Sequence, residues 1–202
     1  MKYQKILTVF PTWGEARPFM MRYPTLSEVW QCGIGSIECA VRSAEIIQKR
    51  CPDIIILAGT AGAFPAGGLG KGTTVLVERE NIADLGTLRN GEFHALASDG
   101  IDLQSNSLYN PTRLPAIFES VESDTVTTAA TPFRNPASRA KIENMEGAGF
   151  FAVCGRSGID YAELRTISNY VGEDRSGWIF SEAAEILCES LCRFITELRK
   201  TN

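Results

Sequence analysis

One histidine, His94, and six cysteines without a C-x-x-C pair leave the usual zinc patterns unfilled. No metal and no cofactor are expected, and Cys32, Cys39, Cys51, Cys154, Cys188 and Cys192 are read as reduced thiols. No apolar run is long enough to span a bilayer, and the first residues enter a strand-like run without an h-region or a cleavage site. The expectation is a cytoplasmic protein with no membrane partner. Neither sign of charge dominates, with 20 basic against 24 acidic residues, and no Lys/Arg cluster is present to neutralise a row of phosphates. Nucleic acid is therefore not expected as a partner. No internal repeat or low-complexity tract appears, and 202 residues without a composition break predict a single domain over 1–202 around one core.

What the chain does contain is an alternation of strand-like and helix-like stretches. Residues 4–10 read as a buried strand, followed by a turn-rich segment, residues 11–19, that holds Glu15 between apolar residues. Residues 28–32 read as a short strand ending in Gly33-Ile34-Gly35. A helix follows with Ile37, Ala40, Val41, Ala44 and Ile47 on one face. The Gly-x-Gly suggests a dinucleotide fingerprint, but Glu38 stands where the third glycine is needed, so a Rossmann site is rejected. Residues 54–58, Ile-Ile-Ile-Leu-Ala, have the length and branching of a central parallel strand buried on both faces. They lead into Gly59-Thr60-Ala61-Gly62-Ala63-Phe64, a loop whose N–H groups and hydroxyl suit an anion or sugar hydroxyls, or which is a plain glycine-rich turn.

Further strands are predicted at residues 73–77, 125–128 and 161–168. A loop over 169–178 then precedes a long closing helix with Ile179, Ala183, Ile186, Leu187, Leu191, Phe194, Ile195 and Leu198 as its stripe. Cys188 and Cys192, one turn apart on it, read as small core or flank residues. Residues 78–124 carry little period, and excursions or an insertion are expected within 91–110. The whole predicts an α/β fold, a layered domain with a central mixed sheet flanked by helices. Residues 143–151 stand out within it. They bring Glu146 to the mouth of a helix whose first turn, Gly147-Ala148-Gly149, is small enough for a ligand to approach the backbone; alternatively Glu146 only complements the helix dipole.

Four separated stretches share one resemblance: residues 13–18 (Trp-Gly-Glu-Ala-Arg-Pro), Gly33-Ile34-Gly35 before its helix, Gly59-Thr60-Ala61-Gly62, and Asn144-Met145-Glu146-Gly147-Ala148 with Ile167-Ser168-Asn169 downstream. In that order they resemble the purine nucleoside phosphorylase and nucleosidase superfamily, over nearly the whole chain. Glu143 ahead of the fourth stretch, Ala83-Asp84-Leu85-Gly86, and Tyr170-Val171 running on to Trp178 look most like the futalosine hydrolases within it. The resemblance implies a three-layer, nucleoside phosphorylase-like fold and a small-molecule purine nucleoside substrate. It further implies hydrolysis of futalosine to hypoxanthine and dehypoxanthine futalosine on the alternative route to menaquinone, and a homo-oligomer with sites near subunit contacts.

By the same resemblance, Glu146 accepts from the ribose 2′- and 3′-hydroxyls, Glu15 deprotonates the attacking water and Met145 packs on the sugar. Asn144 and the Thr60-Ala61-Gly62 loop are further substrate-binding candidates. Asn169 stands where adenine-cleaving nucleosidases carry an aspartate. Its amide offers one acceptor and two donors, which suits a 6-oxopurine: NH₂ to O6, carbonyl from N7–H. Leu57 replaces the arginine that clamps phosphate in hexameric phosphorylases, so water is the expected nucleophile. Phe133 is the candidate to stack on the purine, and Tyr170 or Trp178 to close over the substrate. The alternatives are a methylthioadenosine/S-adenosylhomocysteine nucleosidase, an inosine-type phosphorylase, and a nucleoside-binding protein without activity.

Overall fold

The computed structural model describes residues 3–96 and 107–200. In chain order the elements are β1 (Ile6–Phe10), α1 (Trp13–Arg22), β2 (Glu28–Gln31), α2 (Ser36–Arg50), β3 (Ile54–Ala63), β4 (Thr74–Ile82), β5 (Gly86–Arg89), β6 (Glu92–Ala95), β7 (Ser107–Tyr109), β8 (Glu119–Thr125), β9 (Ile142–Asn144), α3 (Gly147–Ser157), β10 (Asp160–Tyr170) and α4 (Phe180–Lys200).

β3 is the hub. It runs parallel to β10 along its length and to β1 over its first half, and antiparallel to β9 at Gly62 and Ala63. β10 then pairs antiparallel with β4, β4 parallel with β8, and β8 parallel with β9, so five strands close a ring. β2 extends the sheet from the outer edge of β1, and β7 adds to β4. Period-two alternation sorts the core to both faces of this mixed sheet. Leu7, Val9, Ile55 and Leu57 join Phe150, Phe151 and Cys154 of α3 and Cys39 and Ile46 of α2. Ile6, Phe10, Ile54, Ile56 and Ala58 join Phe19 of α1 and Leu187, Leu191 and Phe194 of α4. Helices therefore cover both sides, as the layered α/β reading expects.

Several expectations change. Residues 11–19 are mostly helix: Thr12 caps α1, accepting from the Glu15 N–H at 3.3 Å and donating its hydroxyl to Glu15 Oε2 at 2.7 Å, an N-cap that outweighs Gly14 and the Pro18 within the helix. β3 continues to Ala63 through the expected glycine loop, because β9 and β10 offer its backbone partners. The strand expected at 125–128 lies earlier, as β8, and ends at Thr125.

The stripe expected for α2 faces inward only in part, with Ile47 packed against the core and Ala40 half-buried. Ile37, Val41 and Ala44 are exposed while Cys39, Ser43 and Ile46 face in. The cause is α3, whose Gly149 sits so close that an added Cβ would lie 2.0 Å from the Ser36 carbonyl oxygen; only small side chains fit that seam. On α4 the expected stripe holds except that Ile186 is turned out and Cys188 takes a core position. Between 78 and 124 the excursion includes a hairpin, β5–β6, turning at Asn90 (φ 53°) and Gly91 (φ 84°). The rest of the excursion expected within 91–110 includes residues 97–106, which lie outside the described residues. No helix among the described residues is long and apolar enough to cross a membrane.

Candidate active site

The carboxyl ends of β1, β3 and β10 open on one cavity of about 520 Å³, closed on other sides by the turn after β9, residue Ala129 and the segment before α4. Ligands of open α/β sheets gather at such strand ends. Glu15, Thr60, Ala61, Gly62, Asn144, Met145, Glu146 and Asn169 all line it. Phe133 does not: it is half exposed on the segment after β8 and outside the lining. The aromatic walls are Trp178 and Phe180, while Tyr170 turns its ring toward Lys71, 5.4 Å away.

Glu146 is held by parts of the chain far from it. Its Oε1 accepts from the Gly35 N–H at 3.0 Å and its Oε2 from Arg165 Nη1 at 3.1 Å. It makes no side-chain cap for α3. That task falls to Asn144, whose Oδ1 accepts from the N–H groups of Glu146 (2.8 Å) and Gly147 (2.7 Å). Asn144 is thus chiefly a brace under the turn, though it also reaches the cavity wall. The smallness of the α3 start is likewise structural. A Cβ at Gly147 would lie 2.2 Å from Glu80 Oε1, and Gly149 serves the α2 seam, so neither clears a path for a ligand.

Glu15, also buried, projects from the first turn of α1. Its Oε1 accepts from the Thr60 N–H at 2.8 Å and from Thr60 Oγ1 at 3.0 Å. Thr60 is therefore a clamp on the carboxylate. Gly59 matters here for close approach: a Cβ on it would come within 2.6 Å of Arg165 Nη1.

Arg165 is the residue missed by the sequence reading. It is wholly buried at the centre of the site, donating from Nε to Glu163 (2.7 Å), from Nη1 to Glu146 and the Thr60 carbonyl (3.2 Å), and from Nη2 to Asn144 Oδ1 (3.1 Å). Burial alone would lower its pKa, but the charges of Glu163 and then Glu146 more than offset that, and the net direction is upward. The available signal was a Glu–x–Arg alternation inside an otherwise apolar strand, which places both charges on one face.

At the other end, Asn169 is re-aimed by a bulge at Ser168, where β10 shifts register against β3. Its Oδ1 accepts from Ser168 Oγ at 2.8 Å and its Nδ2 donates to the Tyr170 carbonyl at 3.0 Å. One N–H and one lone pair of the amide stay available to a ligand. The loop beyond is fastened by Lys71, whose Nζ donates to Glu173 Oε1 (2.5 Å) and the Gly177 carbonyl (2.6 Å); Trp178 Nε1 donates to the Glu173 carbonyl at 3.1 Å. Glu143, also on the wall, receives Arg134 and the Ala130 N–H (2.7 Å), tying residues 129–134 to the cavity. Arg175 stands exposed on the rim. Among the described residues no group of three or more His, Cys, Asp or Glu is arranged to hold a metal. With Glu143 engaged by Arg134, the other two cavity carboxylates, Glu15 and Glu146, and a locally held amide can bind polyhydroxylated sugar, orient water and hydrogen-bond a heterocycle.

Residues 27–198 match the phosphorylase superfamily. The chain is 30% identical to a futalosine hydrolase of Thermus thermophilus, with 95% of each chain covered. It is also 30% identical to a futalosine hydrolase of Acidothermus cellulolyticus, over 78% of this chain and 70% of that one. Among solved structures, the fold superposes on the 5′-methylthioadenosine nucleosidase of Arabidopsis thaliana with a TM-score of 0.81 at 17% identity, covering 100% and 98% of the two chains. A futalosine hydrolase of Helicobacter pylori gives a TM-score of 0.79 at 15% identity, over 96% of this chain and 98% of that one.

Proposed function

Since the chain belongs to the phosphorylase superfamily and, within it, to the futalosine hydrolases, we propose that it hydrolyses the N-glycosidic bond of futalosine, releasing hypoxanthine and dehypoxanthine futalosine for menaquinone biosynthesis. The observation that carries the reading is the pair of buried carboxylates, Glu15 and Glu146, that line one cavity with Asn169.

Cleavage builds positive charge on the ribose and negative charge on the departing purine. Each oxygen of Glu146 already takes one donor from the protein and keeps lone pairs for the 2′- and 3′-hydroxyls. A carboxylate beside a ring turning cationic favours the transition state over the ground state. Glu15, held by Thr12 and Thr60, accepts the proton of the attacking water. Met145 packs on the sugar, and the free N–H and lone pair of Asn169 meet O6 and N7–H of hypoxanthine.

Water rather than phosphate is supported by Leu57, which is buried in the core where a phosphate clamp would be needed, and by Arg165, whose Nε and Nη1 are already committed to Glu163, Glu146 and the Thr60 carbonyl. A homo-oligomer is supported by the outward face of α2, where Ile37 is 84% exposed beside exposed Val41 and Ile34.

The test is purine release from futalosine, inosine, methylthioadenosine and adenosylhomocysteine, each with and without phosphate. Hypoxanthine from futalosine alone, at a rate indifferent to phosphate, is expected. Adenine release would move the assignment to a methylthioadenosine/S-adenosylhomocysteine nucleosidase, phosphate dependence to a phosphorylase, and silence on all four to a binding protein.

A further inference from the structure

Behind the cavity carboxylates lies a second pair that no substrate can touch. Glu80 on β4 and Glu163 on β10 are both wholly buried and outside the cavity lining. They meet over the start of α3: a Cβ built on Gly147 would lie 2.2 Å from Glu80 Oε1 and 2.9 Å from Glu163 Oε1. Glu80 accepts from Asn144 Nδ2 (2.7 Å) and Thr125 Oγ1 (2.6 Å). Glu163 Oε1 accepts from Arg165 Nε, yet its Oε2 is buried with no hydrogen-bond partner.

An orphaned buried oxygen is costly, and so is a second negative charge in the same dry space. A single proton between the two carboxyl groups removes both costs, because a protonated Glu80 becomes the donor that Glu163 Oε2 lacks. We propose that Glu80 and Glu163 share one proton and act as the positioning pair of the nucleosidase reaction, fixing Arg165 and, through it, the sugar-facing carboxylate of Glu146. The titration directions agree. Burial first, then the charge of Glu163, pushes Glu80 well above the ordinary carboxylate range. Burial raises Glu163 as well, outweighing the attraction of Arg165.

Two arms run from the pair to Glu146. Glu163 fixes Arg165, which donates to Glu146 Oε2; Glu80 fixes Asn144, whose Oδ1 holds both Arg165 Nη2 and the Glu146 N–H. With a proton between them, Glu163 keeps its charge for Arg165 without the repulsion of a second carboxylate. Were Glu163 neutral, Arg165 Nε would keep only an uncharged acceptor there, and the guanidinium would be drawn toward Glu146. The two arms thus work only with the proton retained.

The positioning role rests on the sugar-binding reading of Glu146, whereas the shared proton does not, so two measurements keep them apart. Infrared difference spectra near neutral pH, parent minus Glu80→Gln, are expected to show the carbonyl stretch of a protonated carboxylic acid without any substrate. Absence of that band overturns the shared proton. In kinetics with futalosine, Glu163→Gln and Glu80→Leu are expected to lower kcat about tenfold to a hundredfold, the worth of one charge-assisted hydrogen bond, with KM nearly unchanged. Glu80→Gln, whose amide restores the donor, is expected to recover most of that loss. Melting curves establish that each variant folds, and if Glu80→Leu does not, Glu80→Gln and Glu163→Gln still decide. Glu80→Gln as impaired as Glu163→Gln, or Glu163→Gln equal to the parent, overturns the proposal. A parent that shows the band but cleaves no purine nucleoside refutes the nucleosidase reading and the positioning role with it, and leaves the shared proton standing.

Discussion

The two ends of the cavity are built on different plans. At the sugar end, Glu146 is held from Gly35 and Arg165, and Glu15 from Thr60, over separations of 111, 19 and 45 residues. At the purine end, Asn169 bonds only its neighbours, Ser168 and Tyr170. The first end is tied to β3, to β10 and to the N-terminus of α2, so its geometry changes only if the fold does. The second is set by one bulge and one side chain. On the proposed reading, the sugar chemistry sits where the fold enforces it, and the choice of base sits where a single substitution can alter it.

The sharpest way to break this comparison is at the sugar end. Glu15→Gln is expected to lower kcat about a hundredfold to ten-thousandfold, the usual contribution of a positioned general base, while KM moves little. Equal rates in variant and parent would remove Glu15 from the chemistry. At the purine end the expected effect is redirection. Asn169→Asp is predicted to shift kcat/KM from 6-oxo- toward 6-aminopurine nucleosides by about tenfold to a hundredfold, since the acid can present a proton where the amide carbonyl cannot. An unchanged preference in a folded variant would show that Asn169 does not read the base.

A smaller effect is expected from the loop that bears Trp178. Lys71→Ala removes the ties to Glu173 and Gly177. The expected result is a rise in KM of about threefold to tenfold with kcat nearly kept, since a loosened wall costs binding more than chemistry. A fall in kcat with KM unchanged would mean that the loop also orders the sugar end.

The same contrast explains what could be read without coordinates. Glu15, Glu146 and Asn169 stood out because each lies in a short motif beside a strand end, and the apolar strands declared both faces of the sheet. Arg165 did not, because its alternation with Glu163 marks one strand face without saying what that face meets, and its partners on β3, on β9 and ahead of α3 become neighbours only through strand pairing. Thr12 and Glu15 carried the capping signal for α1, but Gly14 and Pro18 masked it. On α2 the period was right and the direction only partly so, since periodicity says that a helix has an apolar face without saying which face α3 leaves room for. Asn90-Gly91 carried a hairpin signal within a stretch of low period that the sequence reading passed over.

The smallest expected effect is on stability, and it tests why the sugar end tolerates carboxylates in its depth. Glu80 faces Glu163 and Arg165 of β10 and the hydroxyl of Thr125, and burial raises its folded-state pKa above the unfolded value. A raised carboxyl binds its proton more tightly in the folded state, so its contribution is complete below the unfolded pKa and is lost as pH rises through the folded one. The parent is therefore expected to lose stability relative to Glu80→Gln as pH rises above the ordinary carboxylate range, since the amide has no proton to lose. In melting curves the variant should gain on the parent by about 1.4 kcal/mol, or about 3–5 °C in Tm, for each pH unit over which folded Glu80 alone keeps its proton. Asn169→Asp, at the more accessible end, should show no such gain. A constant gap between Glu80→Gln and parent at every pH would mean that Glu80 carries no raised titration and that the depth of the sugar end is neutralised by Arg165 alone.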